Sequence, residues 1–419
     1  MTDCCIIGGG IIGLSIAREL AGRGLSVRVL TRDRQRSTAS WAAAGIFPPT
    51  RQGQGCSAGD ILTHYSDTLH QHWARELREE TGIDNGLHAC GGLHLGWDLR
   101  AMDRLHEESL EWLRKGARCE LLDAKGVVAC EQSLAFAVSQ GTIVGGYLLP
   151  DEMQLRPPRH LEALLQSCYL RGVKIDYDVE VDRFAIQEDR IDGVLIKSAS
   201  ANSLSTAGAS SNSETVRAAF YCLAAGAWSG HLAESLGLTI QTRPIRGQIL
   251  LLGLSKQILT RIVNMGLEYL VPRTDGRLLV GSTIEDAGFD TTTTQPAIGR
   301  LMSFANSLLG ELPGATLEQA WAGLRPGSAD GLPYMGRSPA YRNAFVSAGH
   351  FRAGLHQSTG SAVLLADLIT GQQPFIDPIP FEPSRVITAE IAMLSMPTMP
   401  SMPSMPSMSS ATPRDAIDA

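Results

Sequence analysis

The chain lacks any apolar run approaching the roughly 18 residues that span a bilayer, because its most apolar stretches are interrupted by glycine or charge. No membrane-spanning helix is expected. An excess of positive charge is missing too: 36 Lys and Arg against 43 Asp and Glu leave a formal charge of -7, so no basic field exists to attract nucleic-acid phosphates. The eight cysteines contain no CxxC pair, which argues against zinc or redox-dithiol sites and fits reduced thiols in a cytoplasmic protein. A signal peptide is equally unsupported. Asp3 stands where a basic segment would be required, and the apolar N-terminus is threaded with Gly8, Gly9, Gly10 and Gly13, which reads as a buried strand and turn.

What is present suits a multi-lobed globular enzyme. The 419 residues, 44% of them hydrophobic, are enough for about two or three domain-sized units. Strand-like and helix-like segments alternate, which predicts an α/β architecture with a partly parallel sheet. Leu69–Glu80 and Arg100–Lys115 have amphipathic helical spacing. The strand AAFYCLA from Ala218 runs into AGAWSG, where Ser229 is placed to cap a following helix. The serine-rich stretch 198–215 is too polar to pack and is expected to be a long hairpin loop. From about residue 385 the composition shifts to a Met-Pro-Ser array that cannot form helix or central strand, and disorder is expected there.

The richest local signal is GGGIIG, with Gly8, Gly10 and Gly13 in the positions of a dinucleotide-binding turn. The first glycine allows the tight turn, the second lets backbone approach a pyrophosphate, and the third lets helix and strand pack closely. Phosphate then meets the free N–H groups at the helix N-terminus. The helix is predicted from about Gly10 to Arg23 and the next strand from Ser26 to Leu30. An acidic ribose ligand is expected about twenty residues after the motif. Thr31 stands there, followed by Arg32 and Asp33. Arg32 alone would suggest the 2'-phosphate of NADP, but the remaining motifs argue against it.

Those motifs are STASWAAAG (Ser37–Gly45), whose small residues let backbone lie against a flat ring, CLAAGAWSG (Cys222–Gly230), PIRGQ (Pro244–Gln248), YLVPRTDGRLLVGST (Tyr269–Thr283), WAGLRPGSADGLPYMG (Trp321–Gly336) and GHFRAG (Gly349–Gly354). In this order they resemble the D-amino acid oxidase superfamily of FAD enzymes, and within it most the glycine oxidases of thiamine biosynthesis. The resemblance covers about residues 3 to 375. It implies that Ile11, Ile12, Thr31, Arg32, Ala39, Ser40, Ala44, Gly45 and Ile46 line FAD, that Val181 meets the adenine, and that His350, Phe351, Arg352, Ala353, Gly354, Leu355 and His356 wrap the flavin ring. It also implies Arg325 and Arg352 as holders of the substrate carboxylate, with Tyr269 beside the substrate and no protein general base. A guanidinium fork is chemically apt, since paired hydrogen bonds fix the orientation of a carboxylate. His356 and Gln357 depart from the apolar residues of close relatives and are read as polar rim residues.

The architecture so implied is a Rossmann-like FAD-binding domain from 1–85, 141–225 and 325–380, and an α+β substrate domain on an antiparallel sheet from 86–140 and 226–324. Tyr269–Thr283 is expected to be a hairpin turning at Thr274–Gly276. Ser358 or Thr359 is expected to cap a helix from about Gly360 to Ile369, closed by Gly371, with its positive end toward the flavin. The implied activity is oxidation of glycine, sarcosine or small D-amino acids, with O2 as acceptor and the product handed to thiazole synthase. A homo-oligomer is also implied. Two rivals remain open on the residues: a quinone-linked D-amino acid dehydrogenase, and a flavin-binding scaffold without turnover.

Overall fold

The computed structural model describes residues 2–32, 38–50, 53, 55–198, 214–312 and 314–385. Residues 199–213 of the serine-rich stretch and 386–419 of the tail lie outside them, as do Asp33 and Ser37.

The apolar N-terminus becomes the strand Thr2–Ile7, hydrogen-bonded in parallel to Val27–Leu30 on one side and Ala218–Leu223 on the other. It thus occupies the middle of a six-stranded sheet ordered Tyr334–Arg337, Ala344–Ala348, Ala218–Leu223, Thr2–Ile7, Val27–Leu30, Lys174–Asp176. Only the outermost pair, Tyr334–Arg337 with Ala344–Ala348, is antiparallel. A strand buried on both faces needs apolar residues throughout, and the alternation of the pleat sorts them. Cys4 and Ile6 face the helices Ile11–Gly22, Ala58–Thr81, Pro157–Leu170 and Ser358–Thr370, meeting Leu14, Leu62, Leu164 and Leu364. Cys5 and Ile7 face a three-stranded antiparallel sheet (Val179–Gln187, Arg190–Ser198, Glu214–Val216) through Phe184, Val194 and Ile196.

The second lobe is an eight-stranded sheet ordered Thr316–Gly327, Arg243–Gly253, Arg277–Gly281, Glu268–Pro272, Ile262–Met265, Gly92–Gly96, Gly145–Leu149, Glu120–Asp123. All its pairs are antiparallel except Ile262–Met265 with Gly92–Gly96. Leu250, Leu270, Leu278 and Val280 pack against helical residues such as Leu301, Phe304 and Val127. Ile249, Val271 and Leu279 point the other way, toward Ala44 and Ile46 of the first lobe. The turn Thr274–Gly276 connects Glu268–Pro272 to Arg277–Gly281, with Gly276 N–H donating to Arg273 C=O. The architecture is therefore the expected α/β one, a mostly parallel sheet joined to an antiparallel substrate-lobe sheet.

Four local expectations change. Gly145–Leu149, which a boundary at 141 assigns to the cofactor lobe, is paired on both edges within the eight-stranded sheet, so the chain crosses between lobes after Leu149. Conversely, Ala233, Leu236, Leu238 and Ile240 pack in the core under the six-stranded sheet, so the stretch just after residue 225 stays with the first lobe. Ser229 does not cap the helix Ser229–Glu234, which is entered directly from the 3-10 turn Gly226–Trp228, and the buried Ser229 hydroxyl has no partner among the described residues. The helix Leu69–Glu80 is the second half of Ala58–Thr81, begun by a capping box between Ser57 and Asp60 and ended by Gly82 in the left-handed region.

Leu364 is fully buried where the helices Ile11–Gly22 and Ser358–Thr370 meet the sheet. Leu364→Ala is expected to lower unfolding free energy by about 2–5 kcal/mol, read from the urea midpoint.

Candidate cofactor and substrate site

A cavity of about 960 Å³ opens at the carboxyl ends of Thr2–Ile7 and Val27–Leu30 and continues across the face of the eight-stranded sheet that carries Ile249, Tyr269 and Arg325. This is at the upper end for a small-molecule site and lies where open α/β sheets bind ligands.

Its cofactor end is built by close backbone approach. Gly8 has φ +118°, and a Cβ on Gly13 would stand 1.9 Å from the Gly8 carbonyl oxygen. Only glycine permits that contact, which draws the helix Ile11–Gly22 onto its strand. Gly10 is the N-cap residue and offers no side-chain cap, so the first-turn N–H groups turn toward the cavity. One of them, Ile11 N–H, donates to Ser40 Oγ at 2.9 Å. Gly8, Gly10, Ile11 and Ile12 all line the cavity, while Gly13 stands behind them as packing. The cradle fits the pyrophosphate of a dinucleotide: glycine backbone, a helix N-terminus and a hydroxyl converge on one spot.

Thr31 and Arg32 line the adjoining end, with Val181 across from them. Thr31 is buried, its side chain against the turn, since a Cβ on Gly9 would fall 2.8 Å from Thr31 Cβ. The Arg32 guanidinium lies 4.3 Å from the ring centre of Trp228. Trp228, from the CLAAGAWSG motif, shares this lining with Glu180 and Lys197, two residues that nothing local in the sequence distinguishes.

Ala39, Ser40, Ala44, Gly45 and Ile46 form the next stretch of wall. They are held from the other lobe. Arg273, buried between the sheets, donates to Ala44 C=O at 2.7 Å, Leu155 C=O at 3.1 Å and Gln154 Oε1 at 2.7 Å, and Trp321 Nε1–H donates to Ala42 C=O at 3.2 Å. Burial and then the charge of Arg156 lower the Arg273 pKa to about 10.

The segment His350, Phe351, Arg352, Ala353, Gly354, Leu355 and His356 lines the opposite wall, with Phe351 in the left-handed region at φ 46°. His350 is buried with Nε2 3.0 Å from Ser361 Oγ, and burial pushes it down to about 3. His356 and Gln357 are not rim residues. Both are buried: His356 Nε2 is 3.0 Å from Asp67 and its ring stacks on Phe47, while Gln357 donates to Thr63 Oγ1. The helix Ser358–Thr370 begins beside this wall, but neither expected cap forms. Ser358 Oγ donates to Leu355 C=O and Thr359 Oγ1 to Ser66 C=O, because the preceding turn feeds straight into the helix through Gln357.

At the far end Arg325, Arg352 and Tyr269 come together on the cavity wall. The Arg325 guanidinium donates to Ser282 Oγ at 2.7 Å and to Thr283 C=O at 3.2 Å, and a Cβ on Gly247 would collide with it at 2.2 Å. Gly247, in the PIRGQ motif, is thus the space in which Arg325 lies. Neither arginine has a carboxylate partner among the described residues. Loss of hydration lowers the Arg325 pKa, with Tyr269 opposing the shift. Arg352 reaches the open cavity, yet its walls reduce hydration and Arg325 repels it, so its pKa is lowered as well. Two cations with no internal counter-charge make a receptor for an anion.

A family model for the DAO group, FAD dependent oxidoreductase, matches residues 3–368. The chain belongs to that family. It is 34% identical over 380 residues to glycine oxidase from Pseudomonas aeruginosa, covering 90% of this chain and 98% of the relative. It is 29% identical over 405 residues to the bifunctional protein ThiO/ThiG from Nostoc, covering 94% of this chain and 57% of that protein. The crystal structure of glycine oxidase from Geobacillus kaustophilus superposes with a TM-score of 0.82 at 29% identity, covering 92% of this chain and 99% of that one. The protein is an FAD-dependent amine or amino acid oxidase of this family, and FAD is its cofactor. No helix among the described residues is long and apolar enough to cross a membrane.

His350 yields a pH prediction. The unfolded imidazole takes up its proton near pH 6.5, whereas the folded one stays neutral until about 3. Between those values the unfolded state binds more protons, so His350 withdraws up to about 1.4 kcal/mol of stability per pH unit as pH falls. His350→Asn is expected to lose less stability than the parent between pH 6.5 and 4, compared by urea midpoints.

Proposed function

We propose that the protein oxidises glycine or a similarly small amine, such as sarcosine or a small D-amino acid, with O2 as electron acceptor. The observation that carries this reading is the pair Arg325 and Arg352, two cations without a carboxylate partner among the described residues, on the cavity wall beside Tyr269. The names of the glycine oxidase relatives support the substrate class.

FAD held here would supply the oxidising chemistry: acceptance of a hydride from the substrate Cα, with O2 and a proton giving hydrogen peroxide as the electrons are passed on. The chain's contribution is placement. Arg325 and Arg352 hold the carboxylate so that the Cα–H bond faces the wall formed by His350–His356. Arg325 is itself oriented by Ser282 and the Thr283 carbonyl, so its fork is set before substrate arrives. Tyr269 covers the substrate. An amine bound in its neutral form needs no protein base, and the imine product hydrolyses with water to a 2-oxo acid and ammonia.

At the other end Gly8, Gly10, Ile11, Ile12 and Ser40 hold the pyrophosphate, Thr31, Arg32 and Val181 the adenosine portion, and Ala39, Ala44, Gly45 and Ile46 the flavin side of the cofactor. On this reading the FAD-binding unit is discontinuous, with the eight-stranded sheet as the substrate unit. We place the activity in the cytoplasm and in thiamine biosynthesis, with the product passed to a thiazole synthase. The composite name of the ThiO/ThiG relative supports that link.

The test is to record the flavin spectrum of the purified protein while adding glycine, sarcosine, D-alanine and D-proline in turn, with peroxide assayed alongside. Bleaching by glycine or sarcosine with stoichiometric peroxide is expected. Bleaching with little peroxide would favour a quinone-linked dehydrogenase, and an unchanged spectrum with all four would leave only a scaffold role. Arg325→Leu, which removes one charged partner of the carboxylate, is expected to lower kcat/KM for the preferred substrate by about 10²–10³-fold while FAD content stays that of the parent.

A further inference from the structure

The polar wall of the substrate cavity continues beyond Tyr269. In the eight-stranded sheet Tyr269 is directly opposite Asn264, Asn264 opposite His94, and His94 opposite Tyr147, so four polar or aromatic side chains cross neighbouring strands in one row. Asn264 and His94 line the cavity together with Glu152, which enters from the turn after Gly145–Leu149. Adjacent strands are about 4.8 Å apart, which puts the His94 backbone about 10 Å past that of Tyr269.

This cluster is built rather than incidental. The Glu152 side chain is 1% exposed, with Oε2 2.9 Å from His94 Nε2 and Oε1 3.4 Å from Asn264 Nδ2. A Cβ on Gly92 would fall 1.8 Å from Glu152 Oε2, so glycine at that position is the room the carboxylate occupies. The His94 ring is stacked on Tyr147 at 4.6 Å, which fixes its plane. Burying a carboxylate is costly unless its partners are good, and here they are imidazole and amide groups that also face the cavity.

The donor and acceptor pattern says what the cluster can bind. The short contact of His94 Nε2 with the Glu152 carboxyl group assigns the donor role to Nε2, and Nδ1, on the other side of the ring, is assigned the acceptor role. Asn264 Nδ2 lies 3.3 Å from His94 Nε2 and 3.4 Å from Glu152 Oε1; with Nε2 assigned as a donor to Glu152, Nδ2 donates to the carboxylate as well, which leaves Oδ1 as an acceptor. Neither Nδ1 nor Oδ1 has a hydrogen-bond partner among the described residues. Two acceptors backed by a negative charge select a hydrogen-bond donor and oppose a second carboxylate. Glycine has no substituent that reaches them.

We infer that His94, Asn264 and Glu152 form a specificity subsite for a donor group, of the hydroxyl or amine class, carried on the substrate's side chain or nitrogen substituent. His94 and Asn264 contact that group, and Glu152 positions His94. The inference rests on the oxidase reading of the same cavity, and it names as preferred substrates small amino acids or N-substituted glycines that bear such a donor.

The test uses binding to the FAD-loaded protein, followed by perturbation of the flavin absorbance. The probes are unoxidisable acids at two lengths: 4-hydroxybutanoate against pentanoate, and 5-hydroxypentanoate against hexanoate, with pentanedioate as the anionic arm. At one length or the other the hydroxyl acid is expected to bind about tenfold more tightly than its methyl counterpart, and pentanedioate no better than the methyl acid. His94→Leu and Asn264→Leu should each bring that ratio to within twofold. His94→Gln should restore part of it, since its amide can donate to Glu152 and keep an acceptor facing outward. A parent ratio within twofold of one, tighter binding of pentanedioate, a ratio unchanged in both leucine variants, or no perturbation by any acid would overturn the subsite. The outcomes are separable: a hydroxyl preference without flavin reduction by any amine defeats only the oxidase reading, and reduction by glycine without that preference defeats only the subsite.

Discussion

The contact between the Gly8 carbonyl and the Cα of Gly13 is the constraint on which the rest of the site depends. With helix and strand drawn that close, the axis of Ile11–Gly22 is aimed so that its first N–H groups converge on one point at the sheet's edge. Ser40 meets that point, which ties the Ala39–Ile46 segment to the turn. Arg273, rooted in the other sheet, then grips the same segment through Ala44. The two lobes are therefore registered to each other by hydrogen bonds to the stretch of backbone between them. A shift of the helix by an ångström would be transmitted through Ser40 and Ala44 to the strands that carry Tyr269 and Arg325.

Electrostatics divides the cavity into a cofactor end and a substrate end, both prepared for negative charge. A helix N-terminus offers partial positive charge at the first, and Arg325 with Arg352 offers full charge at the second. Arg325 is oriented by a hydroxyl and a carbonyl, neither of which neutralises it. A carboxylate partner there would have been the more stable arrangement and would have closed the site to a carboxylate ligand. The lowered pKa of both guanidinium groups expresses the same cost, which an arriving anion relieves.

What was legible in the sequence was whatever lies within a few residues of itself. The strand, glycine turn and helix of residues 3 to 30 form a local unit, so their pattern is sufficient, as is the hairpin turning at Thr274–Gly276. The expected caps, Ser229 and either Ser358 or Thr359, do not form because a cap depends on how the preceding turn enters the helix, and both helices continue from residues already in helical conformation. The strand Gly145–Leu149 lies across the expected boundary because its membership is decided by partners along the chain upstream, Gly92–Gly96 some fifty residues away and Glu120–Asp123. His356 looked like a rim residue because its partner Asp67 is 289 positions away. The same distance hid Glu152 and His94, 58 residues apart, and Asn264, 112 from Glu152.

The last point bears on how a substrate face arises in a β-sheet. Neighbouring positions on this face are Ile249, Val271 and Leu279, which pack against the first lobe as core. A sheet face exists to be covered, and apolar residues at Asn264 and His94 would have extended that core at no cost in unsatisfied polar groups. Instead the row from Tyr269 to Tyr147 is polar, and it is maintained by a buried carboxylate that requires glycine opposite it. An arrangement that gives up apolar packing, accommodates a desolvated charge and constrains Gly92 is hard to account for by stability. It becomes intelligible if the wall that holds a substrate carboxylate at one end must also read the group at the other.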